Sequence, residues 1–337
     1  MATATLNPAI SEARQDTWWN SRVVRRFRRN GLAVTGLFIV LVFALTAAFA
    51  PLLAPPQDNC LRDMNVAAGT SVYNPAQPLF WKAIFAPPAS CFSIVRVGFS
   101  PIPTPPGQDG PVLGTINGYD IFYGIVWGAR TAFYLGFIVV VPTLIIGIFV
   151  GSVAGYFGGW VDNLFMRITD VVYAFPGLVL TIVFISLFGQ GLNNIAISLV
   201  LVGWGAYARI LRGEILRVRQ LEFVDGARAL GASSTRVILH HVLPNSLTGL
   251  TVQATLDMGS IVLTAAALSF LGLGTPIGYA DWGQLINFAR AWLQGPPGHP
   301  FMYWYVSFFP GLTILLFGLG WNLLGDALRD ALDPRER

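Results

Sequence analysis

The stretch TAFYLGFIVVVPTLIIGIFVGSVA, residues 131–154, decides the fold because it contains no charged side chain. A helix needs roughly 20 consecutive apolar residues to cross a bilayer core about 30 Å thick. Pro142 and the glycines do not exclude a helix, since neighbouring helices satisfy freed backbone groups inside a packed bundle. The stretch therefore predicts a transmembrane helix.

Further apolar stretches lie on both sides of this one, in a chain that is 54% hydrophobic and only 11% charged. That balance is far from the composition of a soluble domain. The sequence predicts an all-α membrane protein with six transmembrane helices, at residues 32–53, 131–154, 171–188, 195–207 or 195–211, 247–273 and 305–324.

The basic residues predict the orientation, because cytoplasmic loops hold an excess of Lys and Arg near the membrane ends. With the N-terminus inside, most of the 21 basic residues fall on the cytoplasmic side, and both termini are cytoplasmic. The outside receives only Arg62, Lys82, Arg96, Arg130 and Arg290.

The arginine cluster at residues 22–29 has two interpretations, a nucleic-acid patch or a topology signal. It abuts the first span, which favours the topology signal with contact to lipid headgroups, and we expect no nucleic-acid partner. Residues 48–50 at the end of the first span resemble the cleavage site of a signal peptide. The length of the apolar run and Pro51 directly after this site oppose cleavage.

The segment 54–128 is rich in proline and is predicted to be an extracytoplasmic loop. It holds the two cysteines of the chain, Cys60 and Cys91, on the oxidising side of the membrane. The pattern favours a disulfide between them, and the alternative is two unpaired thiols. Non-reducing against reducing mass analysis after alkylation distinguishes the two.

Motifs for chemistry on this chain are missing from the sequence. It contains no phosphate-binding G-x-x-x-x-G-K-[ST], no H-E-x-x-H zinc helix and no G-x-S-x-G nucleophile elbow. Adjacent His240 and His241 point to different faces of a helix and make a poor metal pair. We expect a protein that is not an enzyme, has no catalytic residue and binds no metal.

The charges missing from the spans are concentrated in residues 209–245. Small residues alternate there with charges, which predicts a short helix ending at Gly231 and a second helix capped by Ser233 or Ser234. Such a pair has little of its own to bury, so it either docks a partner protein or merely connects two spans. Gly231 should resist substitution if it adopts a left-handed conformation.

The same segment resembles the EAA loop of bacterial ABC importer permeases, whose pattern is E-A-A, three residues, G, nine residues, I-x-L-P. The spacing from Asp225-Gly226-Ala227 through Gly231 to His241-Val242-Leu243-Pro244 fits completely, with Asp225, Gly226 and His241 as departures. We call residues 209–246 the EAA-like loop. The resemblance implies a coupling helix that contacts an ATPase subunit through Glu222, Asp225, Gly226, Ala227, Arg228, Leu230, Gly231, Leu243 and Pro244.

Further segments are similar to the subfamily that imports dipeptides, oligopeptides and nickel complexes or glutathione, most like its second, DppC-type permease. They are FVDGARALGAS at 223–233, LSFLGLG at 268–274, DWG at 281–283 and NLLGDALRDALDPR at 322–335. The subfamily usually has a Glu where this chain has Ala265, so any role of that carboxylate is lost here.

The resemblance implies the type I importer (MetI-like) permease fold in the cell inner membrane. It divides the chain into a basic N-terminus 1–31, a first helix 32–53, the outer loop 54–128, a five-helix core 129–327 and a tail 328–337. The implied partners are a second permease, two ATPase subunits that hold ATP and magnesium, a peptide-binding protein and membrane lipid. The chain itself is expected to bind no cofactor.

Charges inside the spans indicate a translocation path, since an unpaired charge in hydrocarbon is costly. Asp257 and Asp170 are the candidates, and a structural hydrogen bond between helices is the alternative for each. Two other classes of function remain open. A channel or secondary transporter would transport without ATP, and a membrane scaffold would assemble without transporting.

Overall fold

The structure is a computed structural model that describes residues 27–56, 89–97, 102–107 and 111–332. The described part is almost entirely helical, with one two-stranded antiparallel hairpin of β1 Thr115–Ile116 and β2 Tyr119–Asp120. The helices are α1 Gly31–Ala48, α2 Ala50–Leu53, α3 Ile121–Phe157, α4 Gly159–Tyr173, α5 Gly177–Phe188, α6 Leu192–Val218, α7 Glu222–Ala229, α8 Ser234–Val237, α9 Leu243–Ser246, α10 Thr248–Phe270, α11 Trp282–Ala289 and α12 Trp304–Leu332.

Five of these helices are long and apolar enough to cross a membrane by themselves, namely α1, α3, α6, α10 and α12. They correspond to five of the six predicted spans. The sixth crossing exists only if α4 and α5 together count as one span.

The third predicted span, 171–188, is wrong as a continuous helix. The chain bends by 84° between α4 and α5, at residues 174–176. Pro176 lacks the N–H that a continuing helix needs, and it disfavours helical geometry at the residue before it. An apolar pattern does not record such a bend, because the predicted span 171–188 contains no charged residue on either side of it.

Three helix ends lie outside the predicted limits. α3 begins at Ile121, inside the predicted loop 54–128, because the Asp120 carboxylate caps it by accepting from the backbone N–H of Phe122 at 2.8 Å. α6 continues to Val218, so the first ten residues of the EAA-like loop are helical. α12 continues to Leu332, beyond the predicted core limit at 327.

α3 and α6 form the centre of the bundle and approach each other very closely. Gly147, Gly151 and Gly155 lie one turn apart on α3, and a side chain at any of them would collide with α6 at Tyr207, Ala208 or Ile215. Small residues at this spacing let helix backbones pack tightly in a membrane. This contact fixes the part of α6 that leads into α7.

A set of segments at the N-terminal end of α3 packs into one unit, which we call the cap: residues 89–97, 102–107, 111–120 and 271–303. Its core includes the fully buried Cys91, Ile116 and Leu285, packed against α3. Cys60 lies outside the described residues, so the bridge to Cys91 stays a prediction. The cap and α7 lie at opposite ends of α3, since Tyr156 near the other end contacts Arg228 of α7.

Candidate functional site

α7 ends in the geometry that its sequence predicts. Leu230 is its C-terminal cap residue and Gly231 follows with φ of +84°. The backbone N–H of Gly231 donates to the carbonyl of Arg228 at 2.9 Å, and that of Ala232 donates to Ala227 at 3.1 Å. These two bonds form a Schellman motif, which requires a left-handed residue. The predicted helix end at Gly231 is confirmed.

The second short helix of the EAA-like loop also begins as predicted. The hydroxyl of Ser233 accepts a hydrogen bond from the backbone N–H of Arg236 at 3.4 Å, so Ser233 and not Ser234 is the cap. α8 is short and passes through a π turn, Ile238–Val242, into α9. The loop returns to the bundle through this continuous segment.

The EAA-like loop has a buried side that attaches it to the bundle. Val224, Val237 and Val242 are fully buried in a cluster with Leu211 and Ile215 of α6. The expectation that the helix pair has little to bury is therefore wrong, because three valines of the loop are buried against α6. Ala227 and Leu243, two of the predicted coupling residues, pack against the same cluster.

The other side of the loop is exposed and partly apolar. Leu230 is 90% exposed and Phe223 is 45% exposed. The remaining predicted coupling residues are also exposed: Glu222, Asp225, Gly226, Arg228, Gly231 and Pro244. Six of the nine predicted coupling residues are thus exposed within residues 222–231, and a seventh, Pro244, is exposed in α9.

Charged groups attach α7 to the end of α3. Arg228 pairs with Asp225 at 3.1 Å, and its guanidinium lies 5.5 Å from the ring centre of Tyr156. Arg219, just before α7, donates to the carbonyls of Gly155 and Tyr156 at 2.9 and 3.1 Å. The sequence reasoning did not identify Arg219. Its only signal was that it follows a helix that ends in basic residues.

The two predicted path residues lie in different places. Asp257 lines a cavity of about 390 Å³ between α3, α6, α10 and the bend that joins α4 to α5. We call this space the bend cavity. Asp170 does not line it, and instead pairs with Arg209 at 2.8 Å. The structure therefore does not bring the two carboxylates together.

A second ion pair ties α4 to α6 and was not predicted. The guanidinium of Arg212 donates to both carboxylate oxygens of Asp162, at 2.5 and 2.6 Å. Bidentate pairs of this kind are among the stronger charge-assisted hydrogen bonds. The position of Asp162 shortly after Gly158 and Gly159 could have indicated that a helix starts there. It could not have indicated that Asp162 pairs with Arg212 on another helix.

The cap contains a buried acidic residue that belongs to the DWG segment. Asp281 accepts from the Ser269 hydroxyl at 2.6 Å and from the backbone N–H of Gly283 at 3.1 Å, which caps α11. Burial raises the pKa of Asp281 above its usual range. The hydrogen bonds favour the charged form and lower the pKa, but their effect is smaller than that of burial. This network links the end of α10 to α11.

The arrangement defines a class: a multi-pass membrane protein with a sharply bent helix pair and an exposed short helix anchored to the bundle. Residues 147–337 match the family model described as binding-protein-dependent transport system inner membrane component, and residues 17–78 match the N-terminal TM domain of oligopeptide transport permease C. The chain belongs to this family of inner-membrane permeases of binding-protein-dependent ABC importers.

Several curated relatives match over nearly the whole chain. The dipeptide transport system permease protein DppC of Alkalihalophilus pseudofirmus is 36% identical, over 92% of this chain and 88% of the relative. DppC of Bacillus subtilis is 32% identical, over 100% and 90%. The glutathione transport system permease protein GsiD of Escherichia coli O157:H7 is 34% identical, over 98% and 96%.

Among solved structures, the inward-facing MetNI methionine ABC transporter aligns with 63% of this chain and 97% of that chain, at 18% identity and a TM-score of 0.49. The family match by itself confirms the predicted membership, the permease role and the multi-pass inner-membrane location. A permease of such an importer works with a partner permease, ATPases and a binding protein in general.

Proposed function

We propose that this chain is one of two different permease subunits that together form the path of an importer for dipeptides. The support is the similarity to DppC proteins over almost the full length of both chains. Two ATPase subunits, carrying ATP and magnesium, drive it from the cytoplasm, and a peptide-binding protein delivers substrate outside. Both termini of the chain are then cytoplasmic, as the arginine distribution predicts.

The observation that carries the coupling part of the proposal is the position of Leu230. It is 90% exposed at the end of a helix whose opposite side is held by the fully buried Val224. An apolar side chain on an anchored helix is suited to a groove on a partner, because burial there gains about 1.5–3 kcal/mol. We infer that α7 transmits movement of the ATPase through Val224 and Arg219 to α6 and α3.

The test compares Leu230→Ala with Leu187→Ala, the same change at another exposed leucine, on α5. The importer is assembled with its partner subunits in nanodiscs. Loss of the Leu230 contact should lower ATP hydrolysis stimulated by the loaded binding protein about tenfold. The control should leave it within about twofold, and neither change should shift thermal stability by more than about 0.5 kcal/mol. Normal stimulation in the Leu230 variant contradicts the role of α7.

A second substrate is favoured by a specific similarity, since GsiD proteins are also related over 98% of this chain. Glutathione is a short peptide with free charged ends, so the same path could carry either molecule. Proteoliposomes with the complete importer separate the two. Saturable, ATP-dependent uptake of labelled dialanine that excess glutathione does not inhibit supports the dipeptide. Uptake of glutathione alone assigns the importer to glutathione.

A further inference from the structure

The bend cavity is the place where a polar ligand could lie inside the bundle. Its walls come from four parts of the fold, and its volume of about 390 Å³ falls within the range of small-molecule sites. Most of the lining is apolar, but Thr143, Thr264 and Ser260 contribute hydroxyl groups. The Thr143 and Thr264 hydroxyls donate to their own helices, so their oxygens keep acceptor capacity toward the cavity.

Asp257 is the acidic group of this cavity, and its hydrogen bonds come from its own helix. Gln253 donates to one carboxylate oxygen at 2.9 Å, and the Ser260 hydroxyl lies 3.5 Å from the same oxygen. Among the described residues, no Lys, Arg or His nitrogen lies within ion-pair distance of it. A carboxylate within a membrane span is costly without a cation, so a cationic group that enters the cavity would be favoured beside it.

The nearby arginine cannot supply that cation. Arg209 is bonded to Asp170 at 2.8 Å, and its guanidinium lies 4.5 Å from the ring centre of Tyr173. Tyr173 stands between this pair and the cavity, which it lines. Arg209 is thus paired with another carboxylate, and Asp257 has no ion-pair partner among the described residues.

A buried hydroxyl lies close to Asp257. The side chain of Tyr207 on α6 is only 1% exposed, and its hydroxyl makes no hydrogen bond of standard geometry among the described residues. It nevertheless lies close enough to the Asp257 carboxylate to interact with it. Asp257 therefore has a polar group of a neighbouring helix beside it, in addition to those of its own helix.

We propose that Asp257 binds the α-ammonium group of a peptide as it crosses the membrane, an inference that rests on the proposed function. An ammonium group carries the balancing charge and three donors, which suit the carboxylate together with the Ser260 and Thr264 oxygens. A divalent metal ion fits less well. The described residues contain no group of three or more His, Cys, Asp or Glu that could hold one.

The test is a cycle of two protein changes and two substrates in proteoliposomes holding the complete importer. Asp257→Asn removes the charge and Asp257→Glu keeps it. Thr181→Val is the control in the same cavity, because the Thr181 hydroxyl donates to the carbonyl of Gly177 on its own helix and has no part in the proposed site. The substrates are dialanine and propionylalanine, which lacks the amine. The preference of the binding protein is common to all complexes, so it cancels when each substrate is compared between complexes.

We expect Asp257→Asn to slow uptake of dialanine about tenfold or more, the effect of losing a charged hydrogen bond. Uptake of propionylalanine by this variant should change less than about twofold. In the control variant, uptake of both substrates should also stay within about twofold. ATP hydrolysis stimulated by the loaded binding protein should stay within the same limit. Asp257→Glu should restore most of the uptake of dialanine. If the unchanged importer does not transport propionylalanine, the difference in dialanine uptake between the Asp257→Asn and Asp257→Glu variants decides whether the charge is needed.

Equal slowing of both substrates, or no slowing by Asp257→Asn, overturns the ammonium site and leaves the proposed function intact. Equal loss in the Glu and Asn variants with normal ATP hydrolysis also overturns it, because the charge would then be irrelevant. If the unchanged importer transports neither dialanine nor glutathione, the proposed function fails first, and this inference fails with it.

Discussion

The cap and the EAA-like loop lie at opposite ends of α3 and hold their side chains in opposite ways. At the cap end of α3, the indole of Trp127 donates to the carbonyl of Ala54 at 3.0 Å, and the indole of Trp282 in the cap donates to the carbonyl of Ile125 on α3 at 2.9 Å. Both tryptophans are buried, whereas Leu230 of the loop is almost fully exposed. One end is closed by internal contacts, and the other leaves an apolar side chain exposed.

If α7 couples to the ATPase as proposed, this difference predicts that the residues for stability and those for coupling lie in separate parts of the chain. Changes in the cap should act on the folded state of the permease itself. Changes on the exposed side of α7 should act on its work with the ATPase and leave the fold intact. The following predictions test this separation, from the largest expected effect to the smallest.

Trp282→Ala should lower the free energy of unfolding by about 3–5 kcal/mol, because the indole is 2% exposed and its space would stay empty. Thermal unfolding in detergent measures the loss. Trp160→Ala is the control, since that indole is 76% exposed. A shift as large for Trp160 would break the comparison, because buried contacts would then not distinguish the cap.

Gly231→Ala should destabilise the end of α7 by about 1–2 kcal/mol, because a side chain at its φ of +84° is strained. Gly226→Ala is the matched control, as both glycines face open space and only Gly231 has positive φ. The control should stabilise α7 by up to about 1 kcal/mol. Amide hydrogen exchange in residues 222–232 measures both effects, and effects of the same sign would contradict the left-handed role.

Asp281→Asn should change how stability depends on pH. Because burial raises the pKa of Asp281, the folded protein keeps its proton at pH values where the unfolded chain, with its ordinary pKa of 3.8, has lost it. The free energy of unfolding therefore falls as pH rises through the interval between those two pKa values. The variant should lose this slope.

Thermal unfolding from about pH 4 to pH 7 measures the slope of the Asp281 variant. Asp225→Asn, on the exposed side of the EAA-like loop, controls for removal of one carboxylate from the chain. A slope that persists unchanged in the Asp281 variant would show that another group of the cap is responsible.

The sequence predicted the features that depend on local pattern. Apolar runs located five spans, the glycine signal located the end of α7, and the serine signal limited the second cap to Ser233 or Ser234. These features depend on neighbours within a few residues, which is the range over which helix propensity and capping act. The EAA-like loop was identified differently, by its resemblance to a family pattern.

Features that depend on partners distant in the chain escaped prediction. Nothing in the sequence pairs Arg212 with Asp162, or aligns Gly151 of α3 with α6. The 84° bend was missed because Pro142 and Pro310 lie inside continuous helices while Pro176 does not. Tertiary packing decides whether a proline interrupts a helix, and a single sequence does not contain that information.

The bend between α4 and α5 has a consequence for how the protein is made. α5 has 12 residues, about 18 Å of helix, and is too short to cross the hydrocarbon by itself. A ribosome that has synthesised the chain only as far as Phe188 has not yet produced α6, on which α5 packs. We expect α5 to enter the bilayer together with α6 as a hairpin, so translation must pass Val218 before this part of the permease is inserted.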